Sequence, residues 1–285
     1  IELIKAYSVQ TIVTNPVSSI LNLRFYDKLL VDDKIIVDGG FGEIWRRAFA
    51  NRLLLLGRNA LLTKDAKAVS VFLRYQRVDI FAVEAVKEME KGIVDQFEEL
   101  FSEMPDINKI GSEKWIDLFS IRSRLTNYYS PEQARVDQVV VSFMPLVQKN
   151  ILNLLFGIND SDKRNGKLFK QLIRQNSFQL AKQPLVKGNI THQFNSSSIG
   201  ARLHSRIKSK LGLSYKSKQQ ITFHSSLKEF IGDLVQSSDV KNYEYYDHKK
   251  LDNIVSNFLS DGSNYNSEID WFLSFELFRQ GITKQ

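Results

Sequence analysis

Residues 34–47, KIIVDGGFGEIWRR, decide how the chain is read. Ile35, Ile36 and Val37 form a short β-branched run, which predicts a buried strand. Asp38-Gly39-Gly40-Phe41-Gly42 follows at once, and its three glycines let the backbone turn sharply and approach a ligand closely. Glu43 opens a segment, 43–56, that reads as a helix with Trp45, Phe49, Leu53 and Leu56 on one face. A strand, a glycine loop and a helix N-terminus together make a generic anion site, because backbone N–H groups and the helix dipole point into the loop. The same pattern also fits a plain tight turn from strand to helix.

Working outward, Asn15-Pro16 predicts a helix entry, with Asn as N-cap and Pro at the first helical position. Ile20, Leu23, Tyr26 (or Asp27) and Leu30 recur at helical spacing behind it, and Asp32-Asp33 ends the helix. Helix, strand and glycine loop in that order are half of a doubly wound α/β unit. Residues 1–13 read as an element whose partners lie upstream of Ile1.

Downstream the pattern is helical. Helices are expected from Thr63 as N-cap to about Tyr75, over 80–104, from Ser112 as N-cap through Leu125, and from Ser130-Pro131-Glu132. Val139–Val141 read as a helix end or an extended link into Met144-Pro145. Further helices are expected over 146–156, after a polar loop through Arg174, and over 198–211, 225–236, 248–259 and 267–279. Residues 183–198, rich in Asn and Ser, read as a loop.

Composition bounds the function. Hydrophobic content of 43% and charged content of 25% are ordinary for a globular protein. The absence of cysteine excludes disulfides, thiolate metal sites and a cysteine nucleophile, and points to a reducing, cytoplasmic setting. Four scattered histidines argue against zinc. No apolar run approaches the length of a membrane span. Residues 163–228 hold 14 Lys and Arg and no acid, so against a whole-chain charge of +7 the remainder carries −7. Such a block favours an anionic partner (nucleotide phosphates, nucleic acid or an acidic membrane surface), or is a solvated basic face. Sparse aromatics there argue against a stacking platform for single strands, so nucleic acid is the weaker reading.

The glycine loop, the helical stretch, Met144-Pro145-Leu146-Val147-Gln148 and then Asn165-Gly166-Lys167-Leu168-Phe169-Lys170-Gln171-Leu172-Ile173-Arg174 resemble, in that order, the synthetase domain of the asparagine synthetase family. Residues 1–185 carry the resemblance. It implies a partial α/β nucleotide-binding unit over 1–60, similar to adenine-nucleotide α-hydrolases, followed by helical parts over 61–185 and 186–285. It implies a ligase that adenylates a small-molecule carboxylate with ATP and Mg²⁺ and lets an amine displace AMP, in some members beside a glutaminase domain. Glu43 and Lys170 would be catalytic; Asp38, Gly39, Gly40, Gly42 and Arg174 would contact the nucleotide. Arg122 and Arg124 could reach phosphate, but read rather as lining a solvated helix. The family's first phosphate loop is expected upstream of Ile1. Its Asp before the loop Glu falls on Gly42, its earlier loop acid on Gly39, and the Asp of its Pro-Phe-Leu-Asp segment on Gln148. These departures leave few hard oxygen ligands for a metal, and fit equally an inactive relative serving as a binding or scaffold module.

Overall fold

The computed structural model describes residues 1–11, 13–30, 34–47, 49–187, 190–194, 198–211, 218–260 and 267–283. The expected helix end at Asp32-Asp33 and Lys216 of the basic block lie outside them. The chain opens with α1 (Glu2–Thr11), a 3₁₀ turn (Val17–Asn22) and α2 (Leu23–Leu30). Strand β1 (Ile36–Val37) leads through the glycine loop to α3 (Gly42–Trp45), then α4 (Asn51–Leu56), α5 (Arg58–Leu62) and α6 (Ala66–Leu73). The long α7 (Val83–Glu103) and short α8 (Ile107–Ile110) precede α9 (Ser112–Ser120), which runs on as a π-helix (Ile121–Tyr129) into α10 (Ser130–Asp137). After β2 (Ser142–Phe143) come α11 (Lys149–Gly157), α12 (Asp160–Lys163), α13 (Lys167–Asn176) and α14 (Phe178–Ala181). Strands β3 (Leu185–Lys187) and β4 (Ile190–His192) lead to α15 (Ser198–Lys210), α16 (Lys218–Ser226), α17 (Lys228–Gln236), α18 (Ser238–Lys241), α19 (His248–Ser260) and α20 (Ser267–Thr283).

The fold is mainly helical, and the expected α/β nucleotide-binding unit is not formed. Among the described residues β-structure amounts to two two-stranded sheets, β1 parallel to β2 and β3 antiparallel to β4, and an isolated antiparallel bridge between Phe81 and Tyr246. A doubly wound sheet buries several parallel strands between helix layers. Here β1 has two residues, and Ile35 and Val37 are 62% and 65% exposed. The β-branched run forms a strand, but no helix covers both its faces. Pairing is still specific: Ile36 N–H donates to Val141 O (3.0 Å) and Asp38 N–H to Phe143 O (2.8 Å). Val139–Val141 is therefore the approach to a strand, and 183–198 contains an antiparallel pair rather than loop alone.

The long helix expected over 43–56 is two. Arg47 and Ala50 both take left-handed φ (51° and 53°), which ends a right-handed helix. Arg47 turns its guanidinium inward to Asp117 and Asp160. Several caps shift by a few residues: Asp65, not Thr63, accepts the Ala68 N–H, and Asn15 donates to Glu132 rather than capping.

Among the described residues three apolar clusters hold the fold together. The first joins the two ends of the chain: Ile4, Tyr7, Val17 and Ile20 pack with Ile231, Leu251, Phe272 and Leu273. The N-terminal helix α1 packs on the C-terminal helix α20. The second cluster centres on Leu53, Phe101, Trp115 and Phe119. The third lies under the glycine loop and comprises Phe41, Ile44, Trp45 and Leu155, with Leu168 and Phe169 of α13 packed against it.

Candidate functional site

The glycine loop folds on itself. Asp38 Oδ1 accepts the Gly40 N–H (2.8 Å), and Gly42 N–H donates to Gly39 O (3.2 Å). Phe41 is fully buried at φ 66°, its ring edge-on to Tyr129. Gly40 is closely approached: a Cβ there would lie 2.5 Å from Met144 Cε, the tip of a flexible side chain, and 3.2 Å from the Tyr129 ring. Leu146 closes over Gly42 in the same way, at 3.3 Å. The helix that follows has four residues, too few for its dipole to build an anion site. The expected generic anion site is thus replaced by a loop roofed with Met144, Leu146 and Tyr129.

Glu43 points to protein partners. Its Oε1 accepts from Arg124 Nε at 2.7 Å, and its Oε2 accepts from the Tyr129 hydroxyl. Arg124 lies over the rings of Phe49 (4.7 Å) and Tyr128 (4.8 Å). Burial, reinforced by the bond to Glu43, raises the Tyr129 pKa above that of a free tyrosine. Arg124 is therefore partly buried and paired with Glu43 rather than solvated. Its trace in the sequence is the Arg124/Tyr128/Tyr129 spacing, which a π-helix presents to one side.

Lys170 and Arg174 sit one turn apart on α13. The start of that helix packs toward the loop: Leu168 and Phe169 join the cluster of Phe41 and Ile44, and Gly166 faces the Arg46 side chain. Lys170 is half-buried; burial, then the charge of Arg174, lowers its pKa. Arg174 lines a cleft of about 490 Å³ with Phe178, Lys182, Gln193 and Phe194, which shares no residue with the glycine loop.

A second polar centre, around Asp117, corresponds to no motif in the sequence. Asp117, fully buried, accepts from Arg47 Nη1 at 2.6 Å and from Lys163 Nζ at 2.6 Å, while Arg47 Nε donates to Asp160 at 2.6 Å. Burial raises the pKa of Asp117 and lowers that of Lys163, each opposed by its partner's charge. These groups line a cleft of about 310 Å³. Lys163, Arg164 and Lys167, which open the acid-free stretch, are bonded to Asp117, Asp160 and Asp162, so part of that positive charge is neutralised within the fold.

The side chains do not fit magnesium. Glu43 is neutralised by Arg124, Asp38 is turned to its own loop, and the described residues hold no group of three His, Cys, Asp or Glu side chains placed for a metal. No helix among the described residues is long and apolar enough to cross a membrane. No family model, curated protein or solved structure matches the chain.

Proposed function

We propose that the chain is an asparagine-synthetase-like domain of an ATP-dependent amide-forming ligase. One observation supports this reading: the stretches that carry the resemblance, far apart in sequence, gather around one apolar cluster. Met144 and Leu146 cap the glycine loop, and α13 seats Leu168 and Phe169 on the cluster beneath it. In the reaction a carboxylate oxygen attacks the α-phosphorus of ATP and pyrophosphate leaves. An amine nitrogen then attacks the acyl carbon, AMP leaves, and the amine loses a proton. Lys170, half-buried beside a second cation, suits the charge that develops on the leaving pyrophosphate. No step is assigned to a metal.

Binding of ATP and of pyrophosphate, followed by calorimetry, tests the reading. Lys170→Ala is expected to weaken binding by about 1–3 kcal/mol, the scale of a lost charge-assisted hydrogen bond. Lys241→Ala, on the exposed surface of α18, is expected to leave it unchanged. No binding by the intact chain, or equal losses from both variants, overturns the proposal.

A second reading, a non-catalytic binding or scaffold module, draws on the clasp of Glu43 by Arg124 and on Gly42 and Gln148 at positions where the family carries Asp. It predicts no ATP–pyrophosphate exchange with aspartate by these 285 residues alone. Exchange above background rejects it.

A further inference from the structure

Helix α15 leaves an apolar stripe in solvent. Leu203, Ile207 and, just past its end, Leu211 are 60%, 50% and 67% exposed, and they recur at four-residue spacing along one side. At 3.6 residues per turn the basic residues fall at the margins of that stripe, Arg206 and Lys210 on one side and His204 and Lys208 on the other. Arg206 and Lys210 are exposed. The surrounding sequence, 163–228, contains no acid to neutralise them.

We propose that α15 docks on an anionic lipid surface, lying in the plane of the headgroups. Leucine and isoleucine would enter the acyl boundary while lysine and arginine extend from its edges to lipid phosphates. Charge complementarity identifies the occupant: an acid-free cationic margin needs a dense anionic surface. The apolar stripe between the cations separates lipid from nucleic acid, whose backbone would be met by charges alone. The mode is surface attachment, since no described helix is long and apolar enough to span a bilayer.

Co-sedimentation of the full chain with vesicles tests this. Vesicles of phosphatidylcholine and phosphatidylserine at about 3:1 are expected to retain the protein at least about tenfold better than phosphatidylcholine alone. Raising salt from about 0.1 to about 0.5 M should release it. The double variant Leu203→Ser/Ile207→Ser, at exposed positions, should lose at least about tenfold in partition with an unchanged far-ultraviolet circular dichroism spectrum. Arg206→Gln/Lys210→Gln should lose a similar amount and flatten the salt dependence. Three results would overturn the proposal: no retention on the anionic vesicles, equal retention on both compositions, or retention indifferent to the serine variant. Displacement from vesicles by duplex DNA, with the serine variant binding DNA as well as the parent, would also overturn it and assign the patch to nucleic acid.

Discussion

Asp117 shows how much of the molecule turns on single side chains. It lies on α9, holds Arg47 from the glycine-loop segment and Lys163 from α12, and is sealed from solvent with both. Arg47 accepts an unfavourable left-handed φ to reach it. Removing one member of a buried ion network costs about 3–5 kcal/mol, because the charges left behind stay desolvated. Asp117→Asn is therefore expected to lower unfolding free energy by about that amount in urea titration. Lys163→Met should cost clearly less, since the Arg47 fork still neutralises Asp117. Equal costs would mean that the lysine, not the fork, carries the centre. None of this was legible in the sequence, where an Asp inside an amphipathic pattern reads as a solvent-facing residue. Nor was the pairing of Glu43 with Arg124 legible, because the residues that meet Glu43 are set by π-helical geometry.

At the scale of elements, periodicity located most helices and failed at their joints. Ser130-Pro131-Glu132 reads as a helix start, and α10 begins at Ser130, but it continues α9 and the π-helix without a break. Proline lacks an N–H and crowds the carbonyl four residues earlier. Widening the preceding turns to π geometry relieves that, and Ser130 N–H reaches Leu125 O instead. The β3–β4 pair departs from the loop that the Asn and Ser content of 183–198 suggests, although Gly188-Asn189 between two short runs is a hairpin signal. The packing of α1 on α20 could not be read, because nothing local to residues 1–13 names a partner more than two hundred residues away. That contact makes its own prediction. A Cβ on Gly281 would stand 2.1 Å from Val9 Cγ2. Gly281→Ala should therefore lower the melting temperature, by an overpacking cost of about 1–3 kcal/mol that outweighs the gain in helix propensity of about 1 kcal/mol. Val9→Ala combined with it should restore most of the loss. A stabilised single variant would show that the two helices part there easily.

For the whole molecule, helix-dominated architecture was legible from the sustained 3.6-residue patterns, whereas the α/β expectation rested on one apolar run and one glycine loop. A run of β-branched residues forms a sheet only if other strands flank it, and β1 has one neighbour, β2, of two residues. What the chain builds instead is a set of apolar clusters with tyrosines seated at or within them. Tyr7 and Tyr246 lie in the first cluster, and Tyr129 packs against the third. Burial raises the pKa of each, and also those of Tyr128 and Tyr243. In the unfolded chain these phenols ionise near pH 10. Folded, they keep their protons to higher pH, so above pH 10 the native state binds more protons than the unfolded state and stability falls as pH rises. The contribution is fully present below about pH 10 and is lost progressively above it. Tyr246 isolates the effect, since its hydroxyl donates to the fully buried Glu276 at 2.6 Å. In Tyr246→Phe that carboxylate keeps Arg279 and Gln280, so the variant should fold, at a cost of about 1 kcal/mol near neutral pH. Denaturant midpoints from pH 8 to 11 should then converge, the parent falling faster because it has one more buried phenol to ionise on unfolding. Parallel curves would mean that Tyr246 is already ionised, or already open to solvent, in the native state.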